Sequence, residues 1–326
     1  MLNSMYSGIS GLNANQRKLD VIGNNIANSG TTAFKASSVT FQDSMYQSIK
    51  ASSSPSLNLG GTNPTQVGLG VSVQGINVNM NQGSLQPTGR PLDVAIDGKG
   101  YFVVSKGPET GSITVSSTYS LSSNTMESYY SRDGAFKLDP KGNLLNSNGY
   151  RIMGYMVTDD TKTSPQYVNA DSANLHAVHG TLKPLTIPET VDNGTTKLRI
   201  QSYSIEKDGM VKAVLSDGST TVLGQVAMVA FNNEIGLEQV GQNMYIPSTN
   251  SGEPIARTGK IKSGDTTTVD NSKAYGDMVQ GSLEMSNVDL AVQFTDMIIA
   301  SRSFQANSKI ISTGDEILQE LVNLKR

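Results

Sequence analysis

The two ends of the chain carry apolar side chains in alternating steps of four and three residues. In the first segment these positions are Met5, Ile9, Leu12, Leu19 and Ile26, together with Ile22. In the last segment they are Leu290, Phe294, Met297, Phe304, Ile311, Leu318 and Val322. This spacing predicts amphipathic helices with a seam typical of coiled coils. We therefore predict that these side chains form an assembly interface.

Local sequence signals indicate where each helix begins and ends. The first is predicted from about Leu2 to Asn28, because Asn28-Ser29-Gly30 supplies residues typical of helix C-termini. The second is predicted to start after Gly281, with Ser286 and Asp289 in capping-box spacing, and to reach Lys325. Gly314 within it indicates a bend or a close helix approach.

Between the helices the pattern changes to that of β-structure. Residues 31–70 are dominated by Ser, Thr, Asn and Gly, which predicts an extended linker. From Val71 apolar residues recur with period two, over 71–80 and again over 92–104. Dipeptides that favour tight turns follow at Asp97-Gly98, Asp133-Gly134, Asn148-Gly149, Asn193-Gly194, Asp208-Gly209 and Asp217-Gly218. The sequence thus predicts closely spaced hairpins.

The predicted fold is a mainly β body, of one or two small domains, between long N- and C-terminal helices that form a coiled-coil-like polymer core. The predicted divisions are 1–30 for the first helix, 31–70 for the linker, 71–157 and 198–281 for the body, 158–197 for a short insertion and 282–326 for the second helix. Residues 110–128 and 158–197 are expected to be surface excursions. Periodicity alone is equally compatible with an intramolecular helical hairpin or a coiled-coil dimer.

Composition and charge narrow the possible functions. The chain has 326 residues, 37% of them hydrophobic, and a net charge of −3. Because no stripe of Lys and Arg is present, nucleic acid is not a predicted partner. The absence of cysteine excludes disulfides and thiolate chemistry. The sequence predicts neither a cleaved signal peptide nor direct membrane insertion.

The candidate chemical motifs have structural explanations. His176 and His179 are the only histidines, and a zinc site would need further ligands. Asp133, Asp208 and Asp217 each precede a glycine, as turn residues do. Gly98-Lys99-Gly100 and Gly68-Leu69-Gly70 lack the other glycines and the strand-to-helix context of a phosphate loop. We therefore predict no enzyme activity, no cofactor and no metal site.

Signature segments at both ends and in the middle resemble the bacterial flagellar rod and hook protein family. They are Ser7–Leu12 (SGISGL), Leu19–Asn28 (LDVIGNNIAN), Leu92–Phe102 (LDVAIDGKGYF), Ser131–Phe136 (SRDGAF), Leu283–Leu290 (LEMSNVDL), Phe304–Lys309 (FQANSK) and Asp315–Leu318 (DEIL). The resemblance implies a structural subunit that polymerises with itself and is exported by the flagellar type III system. It also implies that the rod, the hook cap, the hook–filament junction proteins and the export apparatus are partners. The implied location is the hook and basal body at the cell exterior.

Within that family the chain is most similar to hook proteins, which implies a curved hollow tube acting as a flexible universal joint. A distal rod protein and a junction protein are the alternatives.

Two features depart from the family pattern. Ala33 stands where the family usually has glycine, and only about forty residues are available for the large outer domain of many hook proteins, which implies that this domain is reduced or missing.

Overall fold

The computed structural model describes residues 2–324 apart from 56–59, 117–119, 123–125, 160–166, 173–174, 193–195 and 258–275. The helices are α1 (Leu2–Ala27), α2 (Leu290–Leu324) and a short 3-10 helix, Glu234–Gly236. The described strands are β1 Ser37–Asp43, β2 Tyr46–Lys50, β3 Thr65–Gly68, β4 Val71–Val78, β5 Leu85–Pro87, β6 Val94–Asp97, β7 Tyr101–Lys106, β8 Ile113–Val115, β9 Leu121–Ser122, β10 Glu127–Ser131, β11 Lys137–Leu138, β12 Leu144–Leu145, β13 Arg151–Asp159, β14 Leu175–Pro184, β15 Thr190–Asp192, β16 Lys197–Ile205, β17 Met210–Leu215, β18 Thr220–Val226, β19 Met228–Ala230, β20 Glu238–Gly241, β21 Met244–Ile246, β22 Ile255–Arg257, β23 Asp277–Gln280 and β24 Ser282–Glu284. The structure thus has a mainly β composition with a helix near each end, as predicted.

The chain divides into two compact units. The first, called here the helical unit, comprises Met1–Gly30, Lys35–Asn79 and Val288–Arg326. The second, called the β-body, comprises Thr31–Phe34 and Met80–Asn287. Each unit therefore draws on segments that are distant in the sequence.

In the helical unit, α1 ends near the expected residues but α2 begins later than expected. Asp289 caps α2, because its Oδ1 accepts the backbone N–H groups of Ala291 at 2.9 Å and Val292 at 3.2 Å. The N-cap residue of α2 is therefore Asp289 and not Ser286. Residues 282–284, expected in this helix, form β24 of the β-body and pair with β5.

The predicted linker, together with Val71–Val78 from the predicted body, forms a ribbon of two antiparallel strand pairs. Strand β1 pairs antiparallel with β4, and β2 pairs antiparallel with β3. An isolated bridge between Ser53 and Thr62 continues the pairing. Alternating β-branched and aromatic residues such as Val39 and Phe41 support strands here, although the surrounding Ser and Gly residues obscure the period. Side chains on the ribbon such as Met45 and Ile49 are exposed.

The β-body is built on one large antiparallel sheet. Among the described strands its main path runs β15-β16-β17-β18-β13-β7-β10-β21-β20. Strand β14 pairs with both β13 and β8, and Leu182 on it is buried. Part of the segment expected to be a surface insertion is therefore a sheet strand, whose Thr and Lys residues had hidden its apolar positions. The rest of the 158–197 segment lies partly outside the described residues.

Strand β7 lies at the centre of the hydrophobic core. All its residues from Tyr101 to Ser105 are buried. Its side chains alternate between two apolar clusters, with Tyr101 and Val103 in one and Phe102 and Val104 in the other. Tyr101 also makes an edge-to-face contact with Phe231 at 5.6 Å between ring centroids. The strand predicted from the period-two pattern is therefore buried on both faces.

The predicted turn dipeptides play two physical roles. Gly98, Gly149, Gly209 and Gly218 adopt positive φ angles, which glycine tolerates without strain. Gly134 does not, but a Cβ atom there would collide with the backbone carbonyl of Val94. Close packing therefore explains that glycine. The Asn193-Gly194 prediction lies outside the described residues.

Ala33 adopts the left-handed conformation that glycine would occupy without strain. Its φ angle is +56°, its side chain is buried, and its N–H donates to the Glu284 carbonyl at 2.8 Å. The chain thus makes a left-handed turn here with alanine in place of the family's usual glycine, at a cost of roughly 1–2 kcal/mol for the Cβ atom.

Candidate assembly interface on the terminal helices

Helices α1 and α2 pack against each other in antiparallel orientation. Lys18 Nζ lies 3.0 Å from Asp296 Oδ1, and Asn25 Nδ2 donates to Gln293 Oε1 at 3.0 Å. Near the other end of α1, Met5 lies beside Gly314, where an added Cβ atom would be 3.3 Å from Met5 Cγ. Residue numbers thus rise along α1 while they fall along α2. The intramolecular helical hairpin left open by the sequence is the arrangement within one chain.

Small residues bring the two helices close together. A Cβ atom on Gly11 would lie 2.6 Å from Asn307 Nδ2, and one on Gly8 would lie 3.3 Å from Ile311 Cγ1. A Cβ atom on Gly314 would lie 3.3 Å from Met5 Cγ. Glycine within a helix costs about 1 kcal/mol relative to alanine, and close packing accounts for it at these positions. Gly314 therefore marks a close helix approach.

Polar side chains fasten the ribbon to α1. Asn25 is buried, donates from Nδ2 to the Ser37 carbonyl at 2.7 Å and accepts the Ser37 N–H at 3.0 Å. Ser10 Oγ accepts the Val71 N–H at 3.2 Å. A Cβ atom at Gly70, which has a φ angle of +121°, would collide with Ser10 Oγ. These contacts fix both ends of the β1–β4 pair on one helix.

The structure divides the predicted interface residues into two groups. Within the helical unit, Ile22 is buried, and seven others are half-buried: Met5, Leu12, Leu19, Ile26, Met297, Ile311 and Leu318. The remaining five are exposed: Ile9, Leu290, Phe294, Phe304 and Val322. One predicted seam is therefore only partly covered by the other helix.

The face of α2 that meets α1 coincides only in part with the predicted seam, which contributes the half-buried Met297, Ile311 and Leu318. Ala300 is buried and Asn307 and Gly314 are half-buried, while Ser308 and Asp315, at predicted seam positions, are exposed. The small side chains at 300 and 314 allow the close approach to α1 that larger residues would prevent. The sequence analysis identified Gly314 but not Ala300 and Asn307, because neither of these two is a large hydrophobic residue.

A second apolar stripe on α2 was also missed. It consists of Val292, Ile299, Ile310, Ile317 and Leu324, all of them exposed. Seven residues nearly complete two helical turns, so 292 and 299, and likewise 310, 317 and 324, lie in line. The stripe is about a quarter turn from Ala300. Its seven-residue spacing was readable from the sequence.

Helix α2 is thus apolar on both sides of its contact with α1. Leu290 and Phe294 lie on the other flank and are exposed. Arg302 and Lys309, followed by Glu316 and Glu320, lie on the remaining polar side. Exposed apolar surface of this extent on a helix is typical of an interaction site.

Helix α2 also extends past the start of α1. Since Met5 lies level with Gly314, Leu2 lies level with about residue 317 in an antiparallel pair. The last turn of α2, with Leu321, Val322 and Leu324 exposed, continues beyond that point. This segment is called the α2 overhang, residues 319–324.

Burial and hydrogen bonding shift the pKa values of several titratable groups in the β-body. Burial raises the pKa of Tyr245 to about 12, and burial also raises the pKa values of Tyr101 and Tyr130. The hydrogen bond from Ser219 lowers the pKa of Asp217, in keeping with its position in a turn. The side chains of His176 and His179 lie outside the described part of the structure.

The described residues contain neither a candidate metal site nor a candidate membrane-spanning helix. No group of three or more His, Cys, Asp or Glu side chains there is arranged to hold a metal ion. No helix in that part of the chain is long and apolar enough to cross a membrane.

Comparison with known proteins gives the same family at both ends and in the middle. The family model of the flagella basal body rod protein matches residues 5–35, and that of the flagellar basal body rod FlgEFG protein C-terminal region matches 279–324. The model of the flagellar hook protein FlgE/F/G D1 domain matches 95–213. The flagellar basal-body rod protein FlgG of Bacillus subtilis is 42% identical over 326 residues, covering 100% of both chains. The chain belongs to the flagellar rod and hook protein family.

Hook proteins of the family also align with the whole chain. The flagellar hook protein FlgE of Borreliella burgdorferi is 28% identical over 470 alignment positions, covering 100% of both chains. The rod protein FlgG of Buchnera aphidicola from Acyrthosiphon pisum is 31% identical and covers 99% of this chain and 100% of that one. The crystal structure of Helicobacter pylori hook protein FlgE2 superposes on 61% of this chain and 100% of that chain with a TM-score of 0.41 and 11% identity, a likeness too slight to bear on the fold.

The family matches coincide with the elements described above. The N-terminal match covers α1 from Met5 onward and the Ala33 turn, and the C-terminal match contains β24 and α2. The family is one of structural components of the flagellar basal body and hook. The resemblance read from the sequence signatures is confirmed.

Proposed function

We propose that this chain is a structural subunit of the flagellar axis that polymerises with copies of itself into a hollow tube. The observation that carries this proposal is the apolar surface of α2 on both sides of its contact with α1. One helix of the same chain covers one face only, so the two flanks require other partners. Copies of the same chain present the same flanks, which supports lateral packing of terminal helices.

The energy available from this packing is considerable. Full burial of a Val, Leu or Ile side chain gains roughly 1.5–3 kcal/mol. The five stripe residues Val292, Ile299, Ile310, Ile317 and Leu324 are about half exposed or more, so covering them gains about 1 kcal/mol each. The twelve predicted side chains other than the buried Ile22, together with this stripe, form the proposed interface.

Within the axis, we infer that the subunit belongs to the distal rod. The alignment with the Bacillus subtilis rod protein spans 326 positions for 326 residues. The alignment with the Borreliella burgdorferi hook protein needs 470 positions, so that protein has long stretches without a counterpart here. The length match and the higher identity favour a rod.

The hook is the second candidate. It is supported by the sequence signatures, which are most similar to hook proteins, and by the full-length hook alignment. In a hook, the subunits would change spacing as the curved tube rotates. Electron microscopy of tubes assembled from the purified chain separates the two, because straight stiff tubes support the rod and curved tubes support the hook. A junction protein would form no tubes.

The other proposed partners follow from the position in the axis. Neighbouring rod and hook components, the hook cap and the hook–filament junction proteins would contact the two ends of the tube. Export would occur through the flagellar type III apparatus, to the exterior part of the flagellum. Retention of the chain inside cells that lack this apparatus, measured by immunoblotting of culture fractions, tests that route.

A pair of variants tests the self-assembly interface. In Ile299→Asp with Ile317→Asp, two carboxylates would enter the apolar stripe, and burying each without a partner costs several kcal/mol. We expect the concentration needed for tube formation to rise at least 100-fold, measured by sedimentation and electron microscopy. Lys309→Asp is the matched control, because it places a carboxylate on the polar side of α2 and changes the net charge by the same amount as the double variant, and it should form normal tubes. Normal tubes from the double variant would contradict the proposal.

A further inference from the structure

The backbone links the two units at four points. The chain passes from one unit to the other at residues 30–31, 34–35, 79–80 and 287–288. On the β-body side these links lead into three short segments, Thr31–Phe34, Met80–Ser84 and Glu284–Asn287. A single buried residue belongs to the third segment and forms hydrogen bonds with the other two.

That residue is Glu284. Its carbonyl oxygen accepts the N–H of Ala33 at 2.8 Å, and its Oε1 accepts the N–H of Gly83 at 2.9 Å. Its Oε2 lies 2.9 Å from Nε of Arg132, with both side chains at most 2% exposed. We call this arrangement, comprising the three segments and Arg132, the Glu284 node. The residue therefore bonds to one segment through its backbone and to another through its side chain.

Other side chains reinforce the Glu284 node. Asn287 Nδ2 donates to the Asn81 carbonyl at 2.9 Å. Asn243 Nδ2 donates to the Thr32 carbonyl at 2.8 Å, and Thr32 Oγ1 donates to Asp133 Oδ1 at 3.2 Å. The segments are thus held by the signature residues of the β-body as well as by one another.

The cation of the node is itself held in place. Arg132 Nη2 donates to the Gly98 carbonyl at 2.6 Å, and its guanidinium carbon lies 5.7 Å from the centre of the Tyr101 ring. A Cβ atom on Gly83 would collide with the Met285 carbonyl, so the second segment fits only without a side chain at this position. A buried ion pair adds little net stability, but removal of one partner leaves an uncompensated charge and is strongly destabilising.

We propose that Glu284 is a positioning residue that fastens all four backbone links to the β-body as one cooperative latch. In the assembled tube, load that enters through the terminal helices then passes into the β-body through this buried carboxylate. The latch is a property of the single chain, whereas its mechanical consequence rests on the proposed function. An experiment can therefore contradict the mechanical consequence without contradicting the latch.

Hydrogen exchange of the full-length monomer tests the latch. In Glu284→Gln the side chain still accepts the Gly83 N–H, but an amide replaces the charge that faces Arg132. We expect exchange in peptides covering 31–35, 80–85 and 282–287 to accelerate by a common factor of about 100-fold or more, while the peptide covering 211–215 in β17 stays protected. Acceleration confined to 282–287, or equal acceleration in 211–215, would overturn the proposal.

Two further variants provide a milder perturbation of the node and a matched control. Asn287→Ala removes one hydrogen bond of the node, so a milder acceleration of about 5-fold in the same three peptides is expected, even if Glu284→Gln folds poorly. Glu109→Gln removes an exposed ion pair, in which Lys141 Nζ lies 2.7 Å from Glu109 Oε2. This matched control should leave all three peptides unchanged, and a change there would count against the node as the cause.

Sheared tubes test the mechanical part. Tubes of Glu284→Gln should break under shear to less than half the median length of wild-type tubes, and tubes of Glu109→Gln should not. Equal lengths for Glu284→Gln and wild type would refute the load path while leaving the latch to the exchange experiment. Failure of the wild-type chain to form tubes would instead refute the proposed function.

Discussion

The helical unit and the β-body treat their apolar side chains in opposite ways. Among the described residues, nineteen of the twenty-two large hydrophobic side chains that are exposed belong to the helical unit and three to the β-body. Among the described residues of the helical unit, the buried hydrophobic side chains are Ala14, Ile22, Ala36 and Ala300. The β-body buries most of its large hydrophobic side chains, whereas the helical unit leaves many of them exposed.

The strongest test of this comparison removes the helices. Deletion of residues 1–27 and 290–326 should abolish tube formation completely, because the apolar flanks are lost. Since the core clusters of the β-body contain none of these residues, its thermal unfolding midpoint should shift by only a few degrees, measured by circular dichroism in the β-sheet region. Tubes formed by the truncated chain would show that cohesion lies in the β-body instead.

A second test concerns the contact between α1 and α2. Gly11→Leu should destabilise the helical unit by roughly 1–3 kcal/mol, because the new side chain meets Asn307. Gly23→Ala is the matched control, since a Cβ atom there meets nothing within 4 Å, and it should stabilise α1 by about 1 kcal/mol. Urea unfolding followed by helical circular dichroism measures both. Equal effects of the two variants would argue against close helix packing.

The strained turn provides a third test, this time in the β-body. Ala33→Gly should raise the free energy of unfolding by about 1 kcal/mol, the strain relieved less the entropy that glycine adds to the unfolded chain. Ala95→Gly, at a buried strand position, should lower it instead. Urea unfolding of the two variants checks the signs. A loss of stability in Ala33→Gly would mean that the left-handed turn is not strained.

The smallest expected effect is that of a surface ion pair on the β-body. Hydrogen bonds from Lys141 and then Asn143 lower the pKa of Glu109 below its ordinary value of 4.5. The stabilisation is therefore present above pH 4.5 and is lost as the pH falls through the lowered value. Glu109→Gln should be slightly less stable than wild type at pH 7 and equal to it at the acid end of this range. An unfolding difference that persists unchanged in acid would exclude the carboxylate as its source.

The sequence predicted those features that local signals determine. The end of α1 near Asn28 and the presence of strand β7 follow from capping residues and period-two alternation, and both were found, whereas the burial of β7 on both faces was not predicted. The start of α2 was misplaced because two residues, Ser286 and Asp289, can each cap a helix, and only tertiary pairing of β24 with β5 decides between them.

Other features depend on contacts that no local pattern reports. The face of α2 that meets α1 includes small residues, with Ala300 buried and Gly314 beside Met5, and hydrophobicity alone does not identify small residues as contact positions. The ribbon over residues 37–78 is formed by pairing of strands that are rich in polar residues. The Glu284 node joins residues up to 251 positions apart in sequence, so it was visible only in three dimensions.

The unequal lengths of α1 and α2 bear on how copies can meet. A hairpin with matched ends could bury its surfaces against one twin and stop there, as a closed two-fold dimer does. Among the described residues α1 has no segment opposite the α2 overhang, so in the proposed assembly its leucines would contact a different kind of site on the next molecule. Contacts between unlike surfaces leave one site open after each addition, and such a chain can keep growing from that end.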